Sequence, residues 1–517
     1  MIYILLYNNA SEFAEKENGG TPGDGVVSII PGVSYTESEE TVDYNPLPAK
    51  ALIFVNNTSN DGQITLIARG DNSPSITLQY SNDNILYQTI SSSENVVSGE
   101  TLTFNLPANG KLYLKGKNRT FATSCNPGNS TGKFWSFGGT VAHHLEGDIM
   151  AIVEDEVEMT QDYEFAGLFV MDSNLKTVND GVLSSPVVSN YGYYDMFNLA
   201  GLTQMPSLTA NTLGSYAYGH MFRNSSFTTA TELPAMNLGE RCYDNMFRWS
   251  ANLTGMTGTL PATKLAWGCY ASMFNNCRKL KKAPEIIAEN AYPVSFAAMF
   301  SECWALQNPP VMHLKTLSGS GDDNTAVQCC EYMFTNCKAL TSTPTFFENI
   351  TGNVGAWYAF QYMFSGCTSL TQVSNLPATG GTPFCYCGMF GGCTSLVNAP
   401  EIGLTDLGLG ITAHTSGNQC ARMFENCTSL TTAPVLKSDK LRTACYNGMF
   451  SGCTSLTKVT ALFTTTYPAG LTPTDTTYKY VANWLDGVPA TGTFIRSASA
   501  TWDTNGVVPN GWTVQTQ

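Results

Sequence analysis

A chain of 517 residues is too long for a single hydrophobic core and calls for several domains or a repeat array. Charged residues are 13% of the chain and the net charge is −15, so the basic footprint that nucleic acid or anionic lipid requires is missing, and neither partner is expected. No stretch reaches the ~18–20 apolar residues of a membrane span, and Ile2 to Tyr7, an apolar run with no Lys or Arg before it, does not read as an export signal.

In chain order, residues 1–48 are Gly-rich and polar and end in PGVSYTESEETVDYNP. Val33, Tyr35, Val42 and Tyr44 alternate there as an added strand would, so an extended arm that anchors to a larger assembly is expected. Residues 49–159 hold short alternating runs, ALIFV, QITLIA, SITLQYS, TLTFNL and KLYLKG, which predict a β-sandwich. Ile76, Leu78 and Tyr80 share one face, as do Leu102, Phe104 and Leu106, and Phe134, Trp135 and Phe137 are expected in the core. Asn109-Gly110 is read as the turn of a hairpin between TLTFNL and KLYLKG. His143 and His144 fall in a strand, where hydrogen bonding is expected over metal ligation, and the run Glu154 to Glu158 reads as a solvated linker.

Residues 160–489 are a repeat. Met-Phe recurs at Phe197, Phe222, Phe247, Phe274, Phe300, Phe334, Phe364, Phe390, Phe424 and Phe450, with weaker copies at Leu168-Phe169 and Trp484-Leu485. The best copies read MFSGCTSL, MFGGCTSL and MFENCTSL, with a leucine six residues after the phenylalanine, as at Leu340, Leu370 and Leu396. One unit cannot bury its own apolar side, so the copies must stack. The expected architecture is an α/β solenoid of about twelve units, the Met-Phe block forming one or two helical turns and SLTTAPVL-type segments forming short strands. The cysteines fall in two columns, Cys277, Cys303, Cys337, Cys367, Cys393, Cys427 and Cys453 in one and Cys242, Cys269, Cys329, Cys385 and Cys445 in the other. One cysteine per repeat reads as a small buried apolar side chain and free thiol, because neighbouring copies point the same way. Residues 490–517, with Trp502 and Trp512, read as a β-hairpin-like cap.

The segments MFSGCTSLTKVTAL and YMFSGCTSLTQVSNLPAT resemble the BspA-type leucine-rich repeats of gut Bacteroidales surface proteins and their bacteriophages, over roughly residues 160 to 498. LPANGKLYLKGKN, followed by GGTVAHHLEGDIMAIV, is similar to the domain that precedes such repeats, and the first 48 residues resemble leading segments of crAss-like phage structural proteins. The resemblance implies an adhesive or structural role without an active site. It implies a virion fibre or receptor-binding protein assembled in the host cytoplasm, or alternatively a secreted bacterial cell-surface adhesin. Expected partners are other virion structural proteins, a host-surface glycan or protein, and further copies of the chain, fibres of this class being commonly trimers.

No catalytic, cofactor or metal residues are assigned, since no phosphate loop, nucleophile elbow or zinc spacing is present. Ligand contact is expected first in the long loops between units, at Asp322, Asp323, Asn324, His414, Tyr467 and Tyr478. The rival surface is the outward side of the strand segments, at Lys282, Asn308, Gln372, Asn398 and Lys458.

Overall fold

The computed structural model describes residues 50–517, apart from 127–130, 155–156, 318–327, 409–416, 467–469 and the side chain of Thr131. The anchor residues Val33, Tyr35, Val42 and Tyr44 lie outside the described residues, as do most of the long-loop candidates. The described chain is built almost entirely of β-strands and turns in several sheets.

The first ten strands are β1 (Leu52–Asn56), β2 (Gly62–Ala68), β3 (Thr77–Ser81), β4 (Gln88–Ser91), β5 (Thr101–Leu106), β6 (Lys111–Gly116), β7 (Ala122–Asn126), β8 (Thr131–Gly139), β9 (His143–Gly147) and β10 (Leu175–Val178). They form two sheets, in the orders β10-β9-β1-β6-β3-β4 and β5-β2-β8-β7. Alternation puts Leu102, Phe104 and Leu106 inside, and the two sheets meet at Phe54 and Phe137, whose ring centroids are 5.0 Å apart. Phe134, Trp135 and Phe137 are buried as expected.

The Asn109-Gly110 hairpin is corrected. β5 pairs with β2 and β6 pairs with β1 and β3, so the turn carries the chain from one sheet to the other. Asn109 is left-handed at φ +51° and Gly110 N–H donates to the Pro107 carbonyl at 3.0 Å. The local chemistry of Asn-Gly makes a tight turn in either case, and the choice of partner strand is made by long-range burial.

β10 belongs to the first repeat copy, yet it pairs in parallel with β9. His143 of β9 and Asp172, just before β10, are both buried and 3.2 Å apart, within ion-pair distance though without hydrogen-bond alignment. The two-sheet region therefore covers the open edge that the first repeat strand would otherwise present.

Beyond β10 the helical expectation is corrected. Among the described residues there is no α-helix, only the short 3-10 segments Ile149–Ile152 and Thr345–Asn349. Each Met-Phe block is a run of tight turns, with a left-handed residue at the second position before and after the phenylalanine. Tyr362 and Gly366 flank Phe364 at φ +51° and +74°, and Arg422 and Asn426 flank Phe424 at +54° and +60°. A left-handed residue this often is incompatible with an α-helix.

The backbone donors show what replaces the helix. Phe360, Tyr362, Phe364 and Gly366 donate to Cys385, Cys387, Met389 and Gly391 in the next copy. The residues between them, Gln361, Met363, Ser365 and Cys367, donate three residues back within their own turns. An isolated segment this short would be marginal as a helix, whereas the stack gives every donor a partner.

Side chains register the same stacking. Phe300, Phe334, Phe364 and Phe390 are buried and nearly parallel, with successive centroids 5.5, 5.5 and 5.7 Å apart. Phe169 extends this column to Phe137 in the two-sheet region, at 5.5 Å. Leu340, Leu370, Leu396, Leu430 and Leu456 are fully buried.

All sixteen cysteines are buried and free, but the first column is more than small and apolar. Its thiols donate to the phenylalanine carbonyl one copy earlier, Cys367 to Phe334 at 3.1 Å and Cys393 to Phe364 at 3.2 Å. Ser250 occupies the same place earlier in the chain and makes the same bond, to Phe222, at 3.1 Å.

The C-terminal cap is also corrected. β11 (Thr432–Leu436), β12 (Lys458–Ala461), β13 (Gly492–Arg496) and β14 (Trp512–Thr516) form one sheet in that order, and β13 and β14 are parallel. A hairpin would make them antiparallel. The connection instead crosses over the end of the apolar core, where Trp502 stacks on Phe463 at 4.9 Å and its Nε1 donates to the Phe463 carbonyl.

Candidate functional site

The short strand segments follow the buried leucine of each copy, and the two residues directly after that leucine, such as Lys281 and Lys282 or Thr371 and Gln372, face solvent. Lys282, Asn308, Gln372, Asn398 and Lys458 are all exposed. Parallel pairing lines several of them up. Asn398 pairs with Thr432, Thr432 with Lys458, Lys458 with Thr493 and Thr493 with Thr513. Lys282 is bridged to Gly255, and Gln372 to Ser342, in the same manner.

A second outward row runs directly before the first. Lys281 N–H donates to the Thr254 carbonyl at 2.8 Å, and both Thr371 and Gln372 donate to Thr341. The Thr254 hydroxyl donates to the Thr228 carbonyl at 2.9 Å and the Thr341 hydroxyl to Gln307 at 3.1 Å. These hydroxyls keep acceptor capacity toward solvent.

The result is a face of hydroxyls, amides and a few amines, repeated at about 4.8 Å, the spacing of adjacent strands. Such a surface can donate and accept hydrogen bonds at regular intervals along an extended polar ligand. The candidate residues did not include Thr254, Thr341, Thr432 or Thr493, which complete the rows. Their signal was the register of the repeat itself, since Thr432 and Thr493 lie at the positions of Asn398 and Lys458 in neighbouring copies.

Of the loop candidates, Asp322, Asp323, Asn324, His414 and Tyr467 lie outside the described residues. Tyr478 is half-buried and stacks on Tyr480 at 5.7 Å. The structure does not bring it to the strand face rows described above.

A small cleft of about 160 Å³ is lined by Arg69, Phe134, Asp195, Asn198, Arg223 and Asn224, among others. Burial pushes the Asp195 carboxyl up to about 7 against the opposing pull of Arg223. Burial, with Arg223 and Arg248 adding to it, drives His220 down to about 3, so this ring is neutral and its 3.8 Å approach to Asp244 is not an ion pair near neutrality. Among the described residues no group of three or more His, Cys, Asp or Glu side chains is placed to hold a metal ion, and no helix is long and apolar enough to cross a membrane.

No family model matches the chain, and no curated protein does. A solved structure, a leucine rich cell surface protein from Faecalibacterium prausnitzii A2-165, is similar to it at 13% identity and a TM-score of 0.24, over 62% of this chain and 90% of that one. A likeness that slight adds nothing to the argument, and the functional reading rests on this chain's own residues.

Proposed function

We propose that the chain is a non-catalytic recognition protein: a leucine-rich-repeat solenoid of about twelve units, closed at one end by a β-sandwich and at the other by β13 and β14, that presents its strand face to a surface glycan. The observation that carries this reading is the in-register row Asn398, Thr432, Lys458, Thr493 and Thr513, exposed except at the half-buried Thr493. The solenoid is supported by the stacked phenylalanines and by backbone donors that alternate between their own turn and the next copy. Repeats of this kind keep a face constant along their length, which suits a long polymer better than a small substrate.

A glycan fits the chemistry of the face. The rows offer hydroxyls and amides with little charge, and charged residues are 13% of the whole chain. In biological setting the protein is an adhesin displayed on a bacterial cell or carried on a virion. The virion reading rests on the sequence resemblance alone, and fractionation of particles from cell envelopes separates the two.

The direct test is binding of the full chain to immobilised neutral and acidic polysaccharides, with release of reducing ends followed in parallel. Retention on at least one polysaccharide without cleavage is expected. Cleavage would overturn the non-catalytic reading, and failure to bind any of them would overturn the glycan reading.

A further inference from the structure

Among the described residues a cationic cluster lies at the edge of the strand face, with Arg278 and Lys279 in the turn before it and Lys281 and Lys282 in its two rows. Arg278, Lys279, Lys281 and Lys282 surround the buried Leu280 and are all exposed. None makes an ion pair among the described residues. Lys279 Nζ donates to the Asn252 side-chain carbonyl at 3.0 Å, and Arg278 lies over the Trp304 ring at 4.0 Å, with Lys338 also over that ring at 4.3 Å.

Carboxylates nearby in the chain already have partners. Glu285 meets His313 at 2.8 Å and Glu289 meets Lys315 at 2.6 Å. Glu302 accepts from Trp304 Nε1 at 2.7 Å and from Asn336 Nδ2 at 2.6 Å. These acidic groups are thus engaged elsewhere, and none pairs with Arg278, Lys279, Lys281 or Lys282 among the described residues. In the rows, Lys281 and Lys282 stand beside Thr254 and Gly255 in the preceding copy, both uncharged.

We infer that Arg278, Lys279, Lys281 and Lys282 form the anion subsite of the strand face and take the sulfate groups of a sulfated polysaccharide. The inference rests on the glycan reading above and specifies the ligand class. Sulfate is favoured over carboxylate because three of the four cations are lysine ammoniums without a carboxylate partner, point charges that suit a tetrahedral anion. The planar guanidinium that would clasp a carboxylate edge-on is laid against Trp304, and its Nε donates to the Asn276 side chain at 2.8 Å. Nucleic acid is disfavoured because four clustered cations on a chain of net charge −15 cannot track a long, densely charged backbone.

The experiment compares the full wild-type chain with Lys279→Gln/Lys281→Gln/Lys282→Gln on four probes: dextran sulfate, polygalacturonate, neutral dextran and single-stranded DNA. The substituted side chains are exposed, and matching thermal melts confirm the fold. Wild type should prefer dextran sulfate, with affinity falling as salt rises, and the triple variant should lose on the order of tenfold or more of it. Equal dextran sulfate binding by the variant, or a preference for polygalacturonate or DNA, overturns the inference. Wild type that binds only neutral dextran also overturns it while leaving the glycan reading standing, and wild type that binds no polysaccharide removes both.

Discussion

The Cys367 thiol donates to the Phe334 carbonyl at 3.1 Å, so a cysteine of one copy is hydrogen-bonded to the backbone of the copy before it. The same carbonyl also accepts the Cys337 amide within its own turn. The column therefore selects a small side chain that can donate, which is why Ser250 substitutes in it. Cys367→Ala should cost about 1–2 kcal/mol through the lost bond and the small void, and Cys367→Ser should cost less. Equal losses in denaturant melts of the two variants would show that the bond is immaterial. Burial pushes the Cys367 thiol well above its ordinary value, so thiol reagents should label it only after unfolding.

Phe364 sits mid-column between Phe334 and Phe390, fully buried. Phe364→Ala should cost about 3–5 kcal/mol, read as a lower transition midpoint. Overlaid melts of variant and wild type would mean that the stacked ring does not hold neighbouring copies together.

Gly366 is left-handed at φ +74°, and a Cβ placed on it would come 2.1 Å from Asn336 Oδ1. Gly366→Ala combines backbone strain with that clash and should destabilise by about 1–3 kcal/mol. A neutral result would contradict the turn geometry assigned to the block.

Much of this was legible in the sequence. The Met-Phe, Cys and Leu columns predicted burial and period because each recurs at a fixed offset in every good copy. The turn conformation is legible in the same columns. Gly or Asn stands directly before the cysteine in SGC, GGC, ENC and TNC, and that is the left-handed position. The partners of β5 and β6 were out of reach, since sheet pairing is settled by contacts far apart in the chain. At the candidate site, the exposed identity of Lys282, Gln372, Asn398 and Lys458 could be read locally. Their alignment with Thr432 and Thr493 required the register between copies.

Burial pushes the Glu331 carboxyl up to about 7. In the folded chain the group holds its proton up to that pH, whereas in the unfolded chain it ionises near 4.3. The folded state thus binds the extra proton, and stability should fall as pH rises from about 4.3 to about 7. Glu331→Gln should flatten that part of the profile and raise stability at pH 8 relative to wild type. An unchanged profile in thermal melts across pH 4–8 would remove Glu331 from the pH response.

The central claim is that the strand face is the binding face. It is tested most directly by comparing polysaccharide affinity for Gln372→Ala/Asn398→Ala/Lys458→Ala with that for a variant in which the three long segments between units, KTLSGSGDDNTAVQ, EIGLTDLGLGITAHTSGNQ and FTTTYPAGLTPTDTTYKY, are shortened, both checked for wild-type melting. The triple variant should lose on the order of tenfold or more in affinity, and the loop variant should bind as wild type does. Full binding by the triple variant, with binding lost on shortening the loops, would contradict the claim and move recognition to the loops.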